Sequence, residues 1–260
     1  MDVLSPHSLA DALRLKAERP DAVPIAGGTD VMVALNFDRL RPAAMLDLTH
    51  VPELRGWSRE NGRVRLGAGL TYTEAMDDPL AELLPALAEA SRTVGSPQIR
   101  NRGTIGGNLG TSSPAGDALP PLLVADAEVE LASVRGSRTL PLQDFLVGPK
   151  RNLLADDELI VAATVAAGSR AETFMKVGPR NAMVIAVVSL AVRVGDELRA
   201  AFGSAGPVPT LVRAPLDEAD SFPERVAEAA SPIDDVRGTA AYRRHALRVL
   251  TTRALDRCLA

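Results

Sequence analysis

A short glycine-rich stretch near the N-terminus has the composition of a phosphate-binding turn. It reads Ala26-Gly27-Gly28-Thr29-Asp30 and lies between a short apolar segment and a predicted helix. Glycines lack a Cβ atom, so their backbone N–H groups can approach a phosphate closely, and the Thr29 hydroxyl adds a further donor. The spacing matches neither the dinucleotide nor the Walker pattern. The stretch is therefore a candidate anion-binding turn, with a plain strand-to-helix turn as the alternative.

A second stretch, residues 103–117, is also rich in glycine and small polar residues. It reads GTIGGNLG followed by TSSPAGD. The backbone N–H groups of these glycines could bind a diphosphate. The side chains of Asn108 and Ser113 could form hydrogen bonds with ribose or ribityl oxygens. Asp117 could accept from hydroxyl groups, while a structural loop made of turn residues is the alternative. Two such stretches in separate parts of the chain predict one extended anionic ligand held between them.

Histidine and cysteine argue against metal chemistry in this chain. His7, His50 and His245 are too scattered in the sequence for a metal-binding set, so we predict no metal site. The single cysteine, Cys258, excludes an intrachain disulfide. It also excludes a cysteine-ligated iron–sulfur cluster carried by this chain alone.

Lysine and aromatic residues are scarce enough to be informative. Lysine occurs only at positions 16, 150 and 176, so Lys176 is less easily explained as generic surface charge. Aromatic residues make up 3% of the chain. Among them, Trp57 and Tyr72 are interpreted as packing residues rather than as ligand contacts.

Charge and hydrophobicity narrow the class of protein. The 29 basic and 33 acidic residues give a formal charge of -4, so the chain lacks the cationic surface that nucleic acid requires. The N-terminal residues contain no basic region followed by an apolar run, so we predict neither a secretory signal nor a membrane span. The expected compartment is the cytoplasm.

Hydrophobic spacing and turn residues divide the chain into three units, which are residues 1–50, 51–168 and 169–260. The first is a small α/β unit whose opening helix is expected to begin with Ser5 as N-cap and Pro6 as first helical residue. The second combines strands with helices, one of which is interrupted at Pro85. Its densest glycine region, residues 95–116, has little periodicity and is expected to be a functional loop. The third is predicted to form antiparallel strands followed by two helices.

Three segments of the chain resemble one protein family. They read PIAGGTDVMVAL, VGSPQIRNRGTIGGNLGTSSPAGDALPPLL and FMKVGPRNAMVIAVVSLAV. Their order and spacing are similar to those of the FAD-binding subunit or domain of the xanthine dehydrogenase and carbon monoxide dehydrogenase family. QIRN followed by TIGGN is the most specific combination. Weaker similarity in AFGSAGPVPTLVRA and DDVRGTAAYRRHALRVLTTRAL extends the resemblance over nearly the whole chain.

The resemblance implies non-covalently bound FAD in an α+β fold. The fold would have a two-part FAD-binding region of the PCMH or vanillyl-alcohol-oxidase type, plus a C-terminal antiparallel sheet with helices. FAD would lie between the N-terminal unit and the middle unit.

The resemblance also implies a set of cofactor contacts. Residues 26–30 would surround the pyrophosphate, residues 104–108 would contact pyrophosphate and ribityl chain, and Asp117 would anchor a sugar or polyol hydroxyl. Lys176 would lie near the flavin, and Leu159 and Ile160 would belong to a segment that passes the isoalloxazine ring. The implied contacts are Ala26, Gly27, Gly28, Thr29, Asp30, Thr104, Ile105, Gly106, Gly107, Asn108, Ser113, Asp117, Leu159, Ile160 and Lys176.

The function implied by the resemblance is electron transfer within a molybdenum hydroxylase. FAD would take electrons from [2Fe-2S] clusters on a small partner subunit and pass them to an external acceptor, while a large molybdopterin subunit oxidises the substrate. The assembly would be a dimer of heterotrimers, and no catalytic residue is expected in this chain. Two alternatives stay open, a self-contained FAD-dependent oxidoreductase and a solitary flavin-binding module. The first would need its own acid or base over the ring, and the sequence shows no such set.

Overall fold

The computed structural model describes residues 1–167 and 171–260, and its N-terminal part is a parallel sheet with two helices. The elements are β1 (Asp2–Leu4), α1 (Leu9–Glu18), β2 (Val23–Ile25), α2 (Val31–Asn36) and β3 (Ala44–Asp47). β3 lies between β1 and β2 and is parallel to both. Helix α1 begins later than predicted, because Ser5 and Pro6 lie in the connection that leaves β1. The cap is Ser8, whose side chain accepts a 3.1 Å hydrogen bond from the Asp11 N–H.

The middle part of the chain is built on an antiparallel five-stranded sheet in the order β4-β5-β10-β6-β7. Its strands are β4 (Trp57–Glu60), β5 (Arg63–Gly67), β6 (Glu128–Ser133), β7 (Gly136–Pro141) and β10 (Leu159–Ala166). A separate two-stranded sheet pairs β8 (Leu146–Gly148) with β9 (Arg151–Asn152). The central strand β10 carries buried residues on both faces and contacts α6, while α1 of the N-terminal unit packs on the neighbouring strand β6.

Six helices accompany this sheet within the described residues. They are α3 (Leu80–Leu83), α4 (Pro85–Thr93), α5 (Pro97–Arg100), α6 (Ile105–Thr111), α7 (Leu119–Val124) and α8 (Leu142–Phe145). Helix α4 begins at Pro85, where the sequence predicted an interruption, because proline is tolerated in the first turn of a helix but not in its interior. The region 95–116, expected to be a loop, instead contains α5 and α6.

The C-terminal part is an antiparallel four-stranded sheet in the order β11-β12-β13-β14. The strands are β11 (Glu172–Val177), β12 (Val188–Val194), β13 (Leu198–Gly203) and β14 (Thr210–Ala214), followed by α9 (Phe222–Glu228) and α10 (Ala240–Leu259). One sheet face packs on α9 and α10 through residues such as Leu190 and Phe202. The other face joins the core of the middle unit through Phe174, Ala191 and Ala201. Both faces are therefore buried, which explains why β12 is almost wholly apolar.

The architecture confirms the predicted α+β class, with antiparallel sheets in the middle and C-terminal parts. The predicted boundary near residue 50 falls between β3 and β4. The boundary at 168 and 169 lies outside the described residues. The three-unit division stays a prediction.

Candidate functional site

A cavity of about 580 Å³ lies between the N-terminal sheet and the middle unit. Its walls come from β2 and the following turn on one side and from α6 and β10 on the other. The volume is within the range of sites that hold a small molecule or cofactor. Apolar walls are supplied by Ile25, Leu48, Leu54, Leu159 and Ile160.

The first glycine turn offers unused backbone donors to this cavity. From Gly27 to Val31, none of the N–H groups donates to a protein acceptor among the described residues. Gly28 has φ +73°, a left-handed conformation that favours glycine. A Cβ atom on Gly27 would overlap the carbonyl oxygen of Arg102, so this glycine allows the two glycine-rich stretches to touch. Consecutive free N–H groups beside a cavity form an anion-binding arrangement.

The second glycine-rich stretch uses its own backbone donors within the protein. The N–H groups of Ile105 and Gly106 donate to the carbonyls of Leu70 and Ala68 at 2.9 and 2.8 Å. The hydroxyl oxygen of Thr104 caps α6 by accepting from the Gly107 N–H at 3.0 Å. A Cβ atom on Gly106 would lie 2.6 Å from that of Ala68, so this glycine is needed for packing. The residues of α6 that line the cavity are Gly106, Gly107, Asn108, Gly110 and Thr111.

A hydrogen bond ties the two stretches together across the cavity. The Thr111 hydroxyl donates to the Asp30 carboxylate at 3.2 Å. Both residues line the cavity, as does the Asn108 side chain, whose buried Oδ1 has no hydrogen-bond partner in the described structure. Buried amide oxygens normally have a donor. Asn108 Oδ1 is therefore an acceptor left unused, enclosed by protein beside Gly116.

Asp117 and Lys176 form a buried ion pair behind this wall. The Lys176 Nζ lies 2.6 Å from Asp117 Oδ2 and also donates to the Thr93 carbonyl at 3.3 Å. Burial raises the pKa of the Asp117 carboxyl to about 6, while the Lys176 ammonium opposes the rise. The second carboxylate oxygen, Oδ1, is buried without a hydrogen-bond partner in the described structure. The pair connects the segment after α6 to strand β11 of the C-terminal sheet.

The structure brings most of the predicted site residues to the cavity. Those that line it are Ala26, Gly27, Gly28, Thr29, Asp30, Thr104, Gly106, Gly107, Asn108, Leu159 and Ile160. Four others do not line it. Ile105 is fully buried behind the wall, the Ser113 Oγ accepts from the Ala115 N–H at 3.2 Å, and Asp117 and Lys176 pair with each other. The cofactor contacts of all fifteen residues stay predictions.

Of the lining residues that were not predicted from the sequence, two carry titratable side chains. Tyr72, interpreted as a packing residue, is buried and has its ring on the cavity wall. Lys150 lines the cavity from the turn between β8 and β9. One available signal for Tyr72 was its place just after Gly67-Ala68-Gly69, where glycines follow a strand.

Burial and charge fix the ionisation of Tyr72. Desolvation first, and then the negative charges of Asp117 and Asp30, raise the pKa of its phenol well above the ordinary value. The phenol therefore remains a hydrogen-bond donor at neutral pH.

No set of three metal-ligating side chains occurs in the part of the chain that the structure describes. His7 and His50 instead lie side by side, with ring centroids 5.5 Å apart. Within the described ranges, the helices include none that is both long and apolar enough to cross a membrane.

Comparison with known proteins shows extensive similarity. Residues 1–165 match the model of the FAD binding domain in molybdopterin dehydrogenase. The xanthine dehydrogenase FAD-binding subunit of Escherichia coli O157:H7 is 32% identical over 274 residues, covering 97% of this chain and 94% of that protein. The nicotine 6-hydroxylase medium subunit of Paenarthrobacter nicotinovorans is 33% identical, covering 96% and 94%. A solved carbon monoxide dehydrogenase from Hydrogenophaga pseudoflava superposes with a TM-score of 0.89 at 26% identity, covering 98% and 96%.

Proposed function

Because the chain belongs to the family of FAD-binding domains of molybdopterin dehydrogenases, we propose that it is the electron-transfer subunit of a heterotrimeric molybdenum hydroxylase. It is an FAD-binding component of an oxidoreductase. The observation that carries the proposal is the cavity with free N–H groups from Gly27 to Val31 at one wall and apolar side chains at another. This combination suits a ligand with both a diphosphate and a flat apolar ring system.

The residues around the cavity fit FAD. The free amides of residues 27–31 would hold the diphosphate, and the Thr29 hydroxyl would add a donor. Leu159 and Ile160 would pack against the isoalloxazine ring. Asn108 would turn its enclosed, unpaired Oδ1 toward a ribityl or ribose hydroxyl. The fit rests on donors and acceptors that the protein leaves without partners.

Asp117 and Lys176 would act together behind the cavity. Asp117 would turn its unpaired Oδ1 toward a polyol hydroxyl while Lys176 holds the other oxygen. The cation of Lys176 would favour added negative charge nearby, although the paired carboxylate offsets part of its field. Ser113 would offer its hydroxyl to the same polyol, and Ile105 would support the wall from behind.

Bound FAD supplies the ability to exchange electrons in one-electron and two-electron steps. The chain has one cysteine, and its described residues hold no metal-ligating set, so the clusters and the molybdenum centre would belong to partners. We propose a small [2Fe-2S] subunit and a large molybdopterin subunit, assembled as a dimer of heterotrimers. An external acceptor would take the electrons.

The identity of the bound cofactor and the copurifying chains tests this proposal. We expect the tagged chain, expressed in its native host, to be yellow and to release FAD rather than FMN on denaturation. It should copurify with a cysteine-rich small chain and a molybdenum-containing large chain. Release of FMN, or a folded colourless chain that cannot be reconstituted with FAD, would refute the cofactor site. Purification with FAD but without partners would refute the heterotrimer.

A further inference from the structure

The phenol oxygen of Tyr72 is a polar atom at the cavity that lacks a protein partner. The side chain is 5% exposed and lies on the cavity wall. Among the residues that the structure describes, none makes a hydrogen bond with this oxygen. The oxygen is also not one of the buried polar atoms that protein encloses completely. It therefore opens toward the cavity.

The Tyr72 ring is held by its neighbours. The Tyr72 N–H donates to the Gly103 carbonyl at 3.1 Å, and the next N–H, of Thr73, donates to the Arg100 carbonyl at 3.2 Å. A Cβ atom on Gly103 would lie 2.9 Å from the Cε2 atom of the ring, so the ring is in close contact with that glycine. The backbone thus fixes where the hydroxyl lies.

A hydrogen-bond donor in this position can bind an acceptor atom of a ligand. Tyrosine hydroxyls that are buried usually find a hydrogen-bond partner, since leaving one unpaired is unfavourable. The nearby charges of Asp117 and Asp30 are negative, so the phenol stays protonated and donates. The free side of this donor faces the space that the cofactor occupies in the proposed function.

We propose that Tyr72 is a cofactor-binding residue whose hydroxyl donates a hydrogen bond to an oxygen or nitrogen acceptor of FAD. The inference rests on the proposed function. It adds a ligand contact to the packing role that the sequence predicted for this residue, which lies in the buried core.

The test compares Tyr72→Phe with a matched control. The chain has one other tyrosine, Tyr242, whose exposed fraction is 48%, so Tyr242→Phe removes the same atom away from the cavity. For each full-length apo chain, the dissociation constant of FAD is measured by flavin fluorescence and the melting temperature is recorded. We expect Tyr72→Phe to bind FAD about 3- to 10-fold more weakly, because the variant loses one hydrogen bond between neutral groups. Its apo melting temperature should be unchanged or higher, because the removed hydroxyl had no protein partner. Tyr242→Phe should change neither quantity.

Competition between ADP and FAD shows which half of FAD carries the acceptor atom. An equal loss of affinity for ADP and FAD supports an acceptor in the adenosine diphosphate half, and a loss confined to FAD supports one in the flavin half. Unchanged FAD affinity in Tyr72→Phe, beside normal binding by the unmodified chain, would overturn this inference alone. A weaker affinity accompanied by a lower apo melting temperature would also overturn it, since the hydroxyl would then be structural. Failure of the unmodified chain to bind FAD would overturn the proposed function as well.

Discussion

Two glycines in the cavity wall are needed for different physical reasons. Gly27 allows the first turn to touch the Arg102 carbonyl, where a side chain would overlap that oxygen. Gly107 has only one close neighbour, the Thr104 hydroxyl oxygen, which a Cβ atom would meet at 3.0 Å. Gly27 therefore serves the contact between two parts of the protein. Gly107 leaves room on the face of α6 that borders the cavity.

This difference makes Gly107 the better position for testing cofactor binding. Valine is a better helix former than glycine, and only the Thr104 hydroxyl would have to shift slightly. Gly107→Val should therefore keep the fold while its branched side chain fills space in the cavity. We expect the variant to retain no FAD after gel filtration, with apo circular dichroism like that of the unmodified chain. Gly195→Val is the control, because a Cβ atom on Gly195 meets nothing within 4 Å. A folded Gly107→Val chain with full FAD occupancy would show that α6 does not border the cofactor.

At the scale of elements, the strands were easier to predict than the helices around the site. The long apolar runs 159–165 and 184–194 predict strands where β10 and β12 lie, although β12 begins only at Val188, because the burial of both faces leaves a clear pattern. Helix α6 was missed because IGGNLGT has little helical periodicity and poor helix propensity. Its conformation is fixed by the Thr104 cap and by close packing on Ala68, which only the folded chain provides. The position of Tyr72 depends on its contacts with Gly103, which is distant in the sequence, so its place at the cavity could not be predicted from spacing.

The contact between α4 and β11 contains a buried carboxylate with incomplete pairing. Glu172 Oε1 accepts from the Ala86 N–H at 3.3 Å, whereas Oε2 has no hydrogen bond within the described structure and lies 3.8 Å from the Arg193 guanidinium. Burial raises the pKa of Glu172 to about 7, Arg193 opposes the rise, and the charge of Glu89 adds to it. The folded state therefore favours the protonated acid. The protonated Glu172 carboxyl contributes fully to the free energy of unfolding below pH 4.5, its ordinary pKa. This contribution is lost as the pH rises through about 7.

Replacing Glu172 by glutamine should remove this pH dependence. Urea unfolding of the apo chain at pH 5 and pH 8 should show that the unmodified protein loses up to about 3 kcal/mol more stability than Glu172→Gln over this interval. Glu60→Gln, at an exposed position on β4, is the control and should behave like the unmodified chain. Equal pH dependence in the unmodified chain and Glu172→Gln would contradict the buried-acid interpretation.

At the scale of the whole molecule, the cavity exists because two units meet there. The N-terminal sheet supplies the turn with free amides, the middle unit supplies α6 and the apolar strand β10, and the C-terminal sheet supplies Lys176 behind the wall. This arrangement suits a chain that holds a redox cofactor between its parts. In the proposed function, the cavity would bind FAD, while oxidation of an organic substrate would be left to partner subunits.

Anaerobic absorption spectroscopy tests whether this chain transfers electrons without itself oxidising an organic substrate. The FAD-loaded chain is mixed in turn with xanthine, nicotinate, nicotine and carbon monoxide, first alone and then within the complex purified from its native host. We expect that none of these compounds bleaches the oxidised flavin band of the isolated chain, whereas dithionite bleaches it. Within the complex, we expect the substrate of the complex to bleach the band. Rapid bleaching of the isolated chain by any of the four compounds would contradict the electron-transfer role and establish a self-contained flavoenzyme.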